Sequence, residues 1–135
     1  MERVRLRLGV ARRALATSFQ ALEEPKTAMN RDASIQRFEY SYEAVWKAAQ
    51  AYMSAVENLD TGSPTAVARA CFGAGLLTEE QARAVLSMAR DRNLTVHTYD
   101  ENLADEIYSH FSSHARLMDD WLSAMETALR KSETL

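Results

Sequence analysis

Seven apolar residues, Ile35, Phe38, Tyr42, Val45, Ala49, Tyr52 and Val56, recur at spacings of 3, 4, 3, 4, 3 and 4. An unbroken alternation of threes and fours puts all seven on one stripe of an α-helix, whereas a strand would scatter them over both faces. Such a stripe is the seam of a helical bundle and must be covered by other helices. The composition agrees, with 22 Ala and 14 Leu against 7 Val and 2 Ile. Alanine favours helix and β-branched residues favour strand.

The rest of the chain divides into compatible pieces. Val4, Leu8, Ala11, Leu15, Phe19 and Leu22 form one stripe, predicting a first helix from about Glu2 to Leu22. Pro25 ends it, Glu24 to Asn30 reads as a loop, and the second helix is expected to start near Asn30 or Asp32. The Asp-Thr-Gly-Ser stretch within Asn58 to Ser63 breaks the pattern. Ser63 and Pro64 then supply a cap and a first helical position for a short third helix, Pro64 to Phe72, stopped by Gly73 and Gly75. Thr78 with Gln81 is a capping box for a fourth helix, expected to carry Ala82, Val85, Leu86 and Ala89 inward and to end between Arg92 and Val96. A fifth is expected from Glu101 to Leu129, with Leu103, Ile107, Phe111, Met118, Leu122, Met125 and Leu129 on one side. The expected fold is all-α: an antiparallel four-helix up-and-down bundle with one short additional helix, residues 1–135 forming one domain. Tyr40, Trp46 and Trp121 lie beside the seams, and this apolar surplus predicts a homodimer.

No run of apolar residues exceeds three, which excludes a transmembrane helix and the core of a signal peptide. With Cys71 as its one cysteine, the chain is expected to be cytoplasmic, away from the membrane, with that thiol acting as a small core hydrophobe. The net charge of −3 is unevenly spread. Arg3, Arg5, Arg7, Arg12 and Arg13 crowd the beginning, and eight acids fall between Asp100 and the end. Arginines in such a run can contact phosphate, but more often they face solvent or pair with acidic neighbours.

The segment Arg90-Asp91-Arg92-Asn93-Leu94-Thr95-Val96-His97-Thr98-Tyr99-Asp100 carries the most chemistry. On a continuous helix Arg92 and His97 would lie about 140° apart and would not converge. The β-branched Thr95 and Val96, and Thr98 or Asp100 as a cap, predict a turn that could bring both to one cleft. A guanidinium and an imidazole suit phosphodiester cleavage, one neutralising charge in the transition state and the other moving a proton. A two-fold dimer would supply a second His97. On spacing alone, an interhelix arginine and histidine are more often a helix C-terminal cap and a satisfied polar residue.

The stretch Arg31-Asp32-Ala33-Ser34-Ile35-Gln36-Arg37-Phe38-Glu39-Tyr40-Ser41-Tyr42-Glu43-Ala44-Val45-Trp46-Lys47 resembles the long second helix of the nucleotidyltransferase substrate-binding proteins. These belong to the HEPN superfamily (higher eukaryotes and prokaryotes nucleotide-binding). Ser63-Pro64 with its short helix, and Arg92-Asn93-Leu94-Thr95-Val96-His97-Thr98-Tyr99, follow in the family's order, so the resemblance spans about residues 3 to 130. Arg92-x4-His97-x-Tyr99 resembles the R-x4-H-x-Y signature of HEPN toxins. The resemblance implies a dimerising bundle, an Arg/His site at the dimer cleft, metal-independent RNA cleavage without a cofactor, and a cognate minimal nucleotidyltransferase as antitoxin. Arg92 and His97 would be catalytic, Tyr99 the acceptor of AMP from the partner, and Asn93 a support of the motif or a phosphate contact. Ala44-Val45 departs from the bulkier residues expected there, a matter of packing.

The chain is not itself a nucleotidyltransferase: it lacks a Gly-Ser element before a paired-aspartate strand, and Asp119-Asp120 falls mid-helix. His110 and His114, four apart, could share a metal but lack the glutamate of H-E-x-x-H and flank the apolar stripe, so no metal site is expected. Phe38, Tyr40, Tyr42 and Trp46 fit packing better than base stacking. Asp32 and Arg37 are either cap and surface or part of the cleft. Two functions follow: a HEPN-type ribonuclease toxin acting on RNA, or a catalytically silent subunit that docks a nucleotidyltransferase and presents a substrate to it.

Overall fold

The computed structural model describes residues 1–134, and all its regular elements among these are helical. The helices are α1 (Glu2–Glu23), α2 (Ala28–Val56), α3 (Pro64–Gly73), α4 (Glu79–Leu94), α5 (Glu101–Ser109) and α6 (Phe111–Thr134), with a 3-10 turn at Thr95–His97. None is long and apolar enough to cross a membrane. Helices α1 and α2 pack against each other along most of their length, and α6 lies against both. Helix α4 joins the bundle through α3 and α6.

Caps set most of the boundaries. Thr27 accepts a hydrogen bond from the Asn30 amide at 3.0 Å, so α2 starts earlier than its apolar stripe suggests and the preceding loop is shorter. Ser63 caps α3 with Pro64 in its first turn, and the Thr78–Gln81 capping box is formed in both directions. Asp100 accepts from the amides of Asn102 and Leu103 to open α5.

The core is the one the stripes predict. Ile35, Phe38, Tyr42, Val45, Ala49 and Tyr52 of α2 are buried against Val4, Leu8, Ala11 and Leu15 of α1 and Met118, Leu122, Met125 and Leu129 of α6. Each large side chain so buried contributes about 1.5–3 kcal/mol. Three expectations are corrected. The predicted fifth helix is two helices, broken at His110, whose amide bonds back to the Ile107 carbonyl; the Ser- and His-rich run from Ser109 to His114 has weak helix propensity. The bundle therefore carries two short helices. In α4, Leu86 is exposed and Met88 is buried with Val85, because the inward stripe runs through Val85, Met88 and Asp91. Trp121 is fully buried within the chain, so it adds nothing to an apolar surplus.

The charge asymmetry is resolved between α1 and α6. Arg12 bonds Glu126 at 2.8 Å, Ser123 at 2.8 Å and also Asp119, and Arg5 pairs with Glu133. Arg3 and Arg7 instead line a shallow groove with Lys47, Gln50 and Asp60.

Candidate active site

The motif begins in the last turn of α4. Arg92 reaches toward α2, its Nη1 3.5 Å from Glu39 Oε2 and donating to Thr95 Oγ1 at 3.2 Å. The Thr95 hydroxyl in turn donates to the Arg92 carbonyl at 2.7 Å, so one buried threonine both caps the helix end and steadies the guanidinium. Tyr42, one turn beyond Glu39, is buried, which pushes its phenol up to about 12 despite the opposing influence of the Arg92 charge. The guanidinium thus sits over the face of α2 that carries Glu39 and Tyr42.

Past Leu94 the chain tightens into the 3-10 turn. Thr98 Oγ1 donates to the Thr95 carbonyl at 3.1 Å, and the Asp100 amide to that of His97 at 3.0 Å. The turn keeps Thr95 inside and throws Val96, His97 and Tyr99 outward, with Tyr99 81% exposed. The Tyr99 hydroxyl lies 3.4 Å from His97 Nδ1, and the two rings meet edge to face with centroids 5.9 Å apart. His97 and Tyr99 are therefore together. Asn93 is exposed on α4. Among the described residues no hydrogen bond or ion pair joins Arg92 to His97.

Glu39 is the residue that sequence reasoning missed. It belongs to the stretch that carries the family resemblance, yet no spacing pairs it with Arg92, because the contact is made between helices. Asp32 and Arg37 take other partners: Asp32 pairs with Arg31 at 3.0 Å, and Arg37 donates to the Thr17 carbonyl at 3.0 Å.

Asp91, the neighbour of Arg92, was missed as well. Its Oδ2 lies 2.8 Å from His110 Nδ1 and 2.7 Å from His114 Nε2. His114 is buried, stacked on Phe38 with centroids 5.4 Å apart, while His110 stands half-exposed at the α5–α6 joint. Burial holds the His114 pKa below the usual histidine value, outweighing the opposing pull of Asp91.

An exposed imidazole on a hydrogen-bonded turn, with a phenol beside it and an anchored guanidinium a turn earlier, can bind phosphate and move protons.

Residues 6–127 match the family described as nucleotidyltransferase substrate binding protein like. Among solved structures, a Thermus thermophilus protein is 47% identical and superposes with a TM-score of 0.82, covering 85% of this chain and 98% of that one. HI0074 from Haemophilus influenzae, whose structure reveals the fold of a substrate binding domain of a nucleotidyltransferase, has a TM-score of 0.75 at 20% identity, covering 88% and 98%. A tri-AMPylated Shewanella oneidensis HEPN toxin in complex with MNT antitoxin superposes with a TM-score of 0.75 at 15% identity, covering 92% and 96%. The last two share the fold. No curated protein sequence matches the chain. With residues 6–127 of 135 matched, the chain belongs to the nucleotidyltransferase substrate binding protein-like family, whose helical bundle is also that of HEPN toxins.

Proposed function

We propose that this chain is a HEPN-type toxin subunit that cleaves RNA without a metal and is neutralised by a cognate minimal nucleotidyltransferase. The observation that carries the reading is the pairing of His97 and Tyr99 on an exposed turn, directly after an Arg92 that Glu39 and Thr95 hold in place. In the reaction the 2′-oxygen of a ribose attacks the adjacent phosphorus and the bond to the 5′-oxygen breaks. A 2′,3′-cyclic phosphate and a 5′-hydroxyl result. His97 accepts the proton from the 2′-hydroxyl, and the partner subunit's His97 gives one to the departing 5′-oxygen, so the site is complete only in a homodimer. Arg92 stabilises the charge that gathers on the phosphate oxygens, and Asn93 supports the motif or contacts phosphate.

The partner controls the site through Tyr99, whose exposed hydroxyl accepts AMP from ATP. A family match to substrate-binding proteins of nucleotidyltransferases, and fold neighbours that include a toxin complexed with its MNT antitoxin, support this choice of partner. The test is cleavage of RNA by the purified protein in EDTA. Cyclic phosphate ends are expected, and His97→Ala and Arg92→Ala should each lose roughly 10²-fold or more. Equal cleavage by both variants would assign the activity to a contaminant. Light scattering that gives a monomer at micromolar concentration would remove the two-histidine mechanism.

The family description favours a second reading, a silent docking subunit that presents a substrate to a nucleotidyltransferase. Expression of the chain alone separates the two: growth arrest that requires His97 belongs to the toxin.

A further inference from the structure

We propose that Asp91, His110 and His114 form a binding site for a divalent cation of the zinc class, which ties the motif-bearing end of α4 to the joint between α5 and α6. Two imidazole nitrogens and one carboxylate oxygen, drawn from three helical turns, lie within 4.8 Å of one another. This is a donor set that zinc takes, with three protein ligands and a fourth position left for water. His110 and His114 stand one turn apart, the His114 amide bonding to the His110 carbonyl at 3.0 Å across the joint, so both rings share a face. The third donor comes from another helix.

Charge points the same way. Asp91 is buried in the last turn of α4, where the negative end of the helix dipole disfavours a carboxylate. A buried carboxylate needs a positive partner. The adjacent cation, Arg92, is directed to Glu39, and among the described residues the ion-pair partners of Asp91 are these two imidazoles. A divalent ion would supply the missing charge.

The site is also built to hold one. His114 is fixed by stacking on Phe38, with an interplanar angle of 24°, and by its contact with Phe111. That packing sets the ring plane in the manner of supports that orient metal ligands. His110, half-exposed, is the entry and the adjustable arm. Donors about 2.0–2.2 Å from a tetrahedral ion lie roughly 3.3 Å apart, so the two contacts at 2.7 and 2.8 Å must open by about half an ångström. Movement of His110 at the helix joint accommodates this. Without an ion, the ring nitrogens that face Asp91, Nδ1 of His110 and Nε2 of His114, donate to its carboxylate; to ligate, each must present its lone pair instead, with a proton kept on the other ring nitrogen.

The chain has three histidines, which makes the test sharp. Untagged full-length protein, stripped with EDTA and dialysed, is titrated with zinc chloride by calorimetry and with cobalt chloride by visible absorption. One ion per chain, tetrahedral cobalt bands and a melting temperature raised by zinc are expected. His110→Ala, at a half-exposed position that folding tolerates, should weaken zinc by more than the roughly 10–100-fold that loss of an outer-shell partner costs. Asp91→Asn should do the same with side-chain size kept, and His97→Ala should bind like the wild type. The proposal is overturned if the wild type takes up no zinc, if His110→Ala binds it equally well, or if zinc leaves the melting temperature unmoved. In each of those cases the cluster is a hydrogen-bonded clamp without an ion.

Discussion

Glu39 and Arg92 meet across the interface of α2 and α4, Oε2 to Nη1 at 3.5 Å, and this contact aims the motif arginine. Both side chains are about a third exposed, 35% and 27%, so the pair itself contributes at most about 1 kcal/mol to stability. Its consequence is positional. With Nη1 held by Glu39 and Thr95 and Nε buried, Nη2 is the group left to meet phosphate. In Glu39→Gln the melting temperature should barely change while kcat for RNA falls by on the order of tenfold or more, the cost of a small misplacement of a charge stabiliser. KM should not rise, because removing a carboxylate also removes a competitor of the phosphate. Steady-state cleavage kinetics check this; a raised KM with unchanged kcat would make Glu39 a substrate contact.

Arg31 couples the start of α5 to acid pH through its carboxylate partners. It is 4% exposed and donates to Glu101 at 2.7 Å, Asp105 at 3.0 Å and Asp32 at 3.1 Å. The Arg31 hydrogen bond is the main cause that holds the Asp105 carboxyl below its ordinary value of 3.8. A carboxyl whose folded pKa is depressed contributes stability that is full above the unfolded value and is lost as pH falls through the folded one. Thermal melts from pH 6 to pH 2 should therefore show a loss beginning near pH 4 in the wild type. Arg31→Met should melt lower at pH 6 and show a shallower loss on acidification. Parallel pH profiles for the two proteins would disconnect Asp105 from Arg31.

Cys71 is fully buried, and burial pushes its thiol up to about 11. At pH 8 the thiolate is then about one part in a thousand, and the side chain has no exposed surface for a reagent to meet. A disulfide reagent such as DTNB should leave the native protein unlabelled and label it once per chain in denaturant. Rapid labelling of the native form would place Cys71 at the surface.

The helical period made the fold legible, and the same period explains what was missed. Spacings of three and four fixed the buried faces of α1, α2 and α6 because each such face is a property of one segment. The break at His110 left those apolar spacings intact: Ile107 and Phe111 on either side stay buried, so a stripe passes through a kink unchanged. Leu86 was misplaced because Leu86 and Met88 are equally apolar and only the neighbours of α4 choose between them. Arg92, His97 and Tyr99 were visible as a local motif. Glu39 beside Arg92, and Asp91 beside two histidines of α5–α6, are juxtapositions of distant helices, which periodicity within a segment does not encode.

Tyr99 is 81% exposed, and among the described residues the hydrogen-bonding contact of its hydroxyl is His97 Nδ1 at 3.4 Å, long for a hydrogen bond. A phenol so placed is free to act as nucleophile in a partner's active site: its oxygen attacks the α-phosphorus of ATP, the bond to the β-phosphate breaks, and pyrophosphate leaves. The product sets a negatively charged phosphodiester and an adenosine beside His97. That charge can engage Arg92 in place of substrate phosphate, while the bulk covers the imidazole. Incubation with the cognate nucleotidyltransferase and ATP should add AMP to Tyr99, seen by peptide mass spectrometry, and RNA cleavage should fall in proportion to the modified fraction. Tyr99→Phe, which keeps the ring and loses the nucleophile, should retain most of its cleavage and resist inhibition by the partner. If the phenylalanine variant gains AMP at the same position-specific peptide, or is silenced as fully as the wild type without modification, control is exerted by noncovalent docking over the turn.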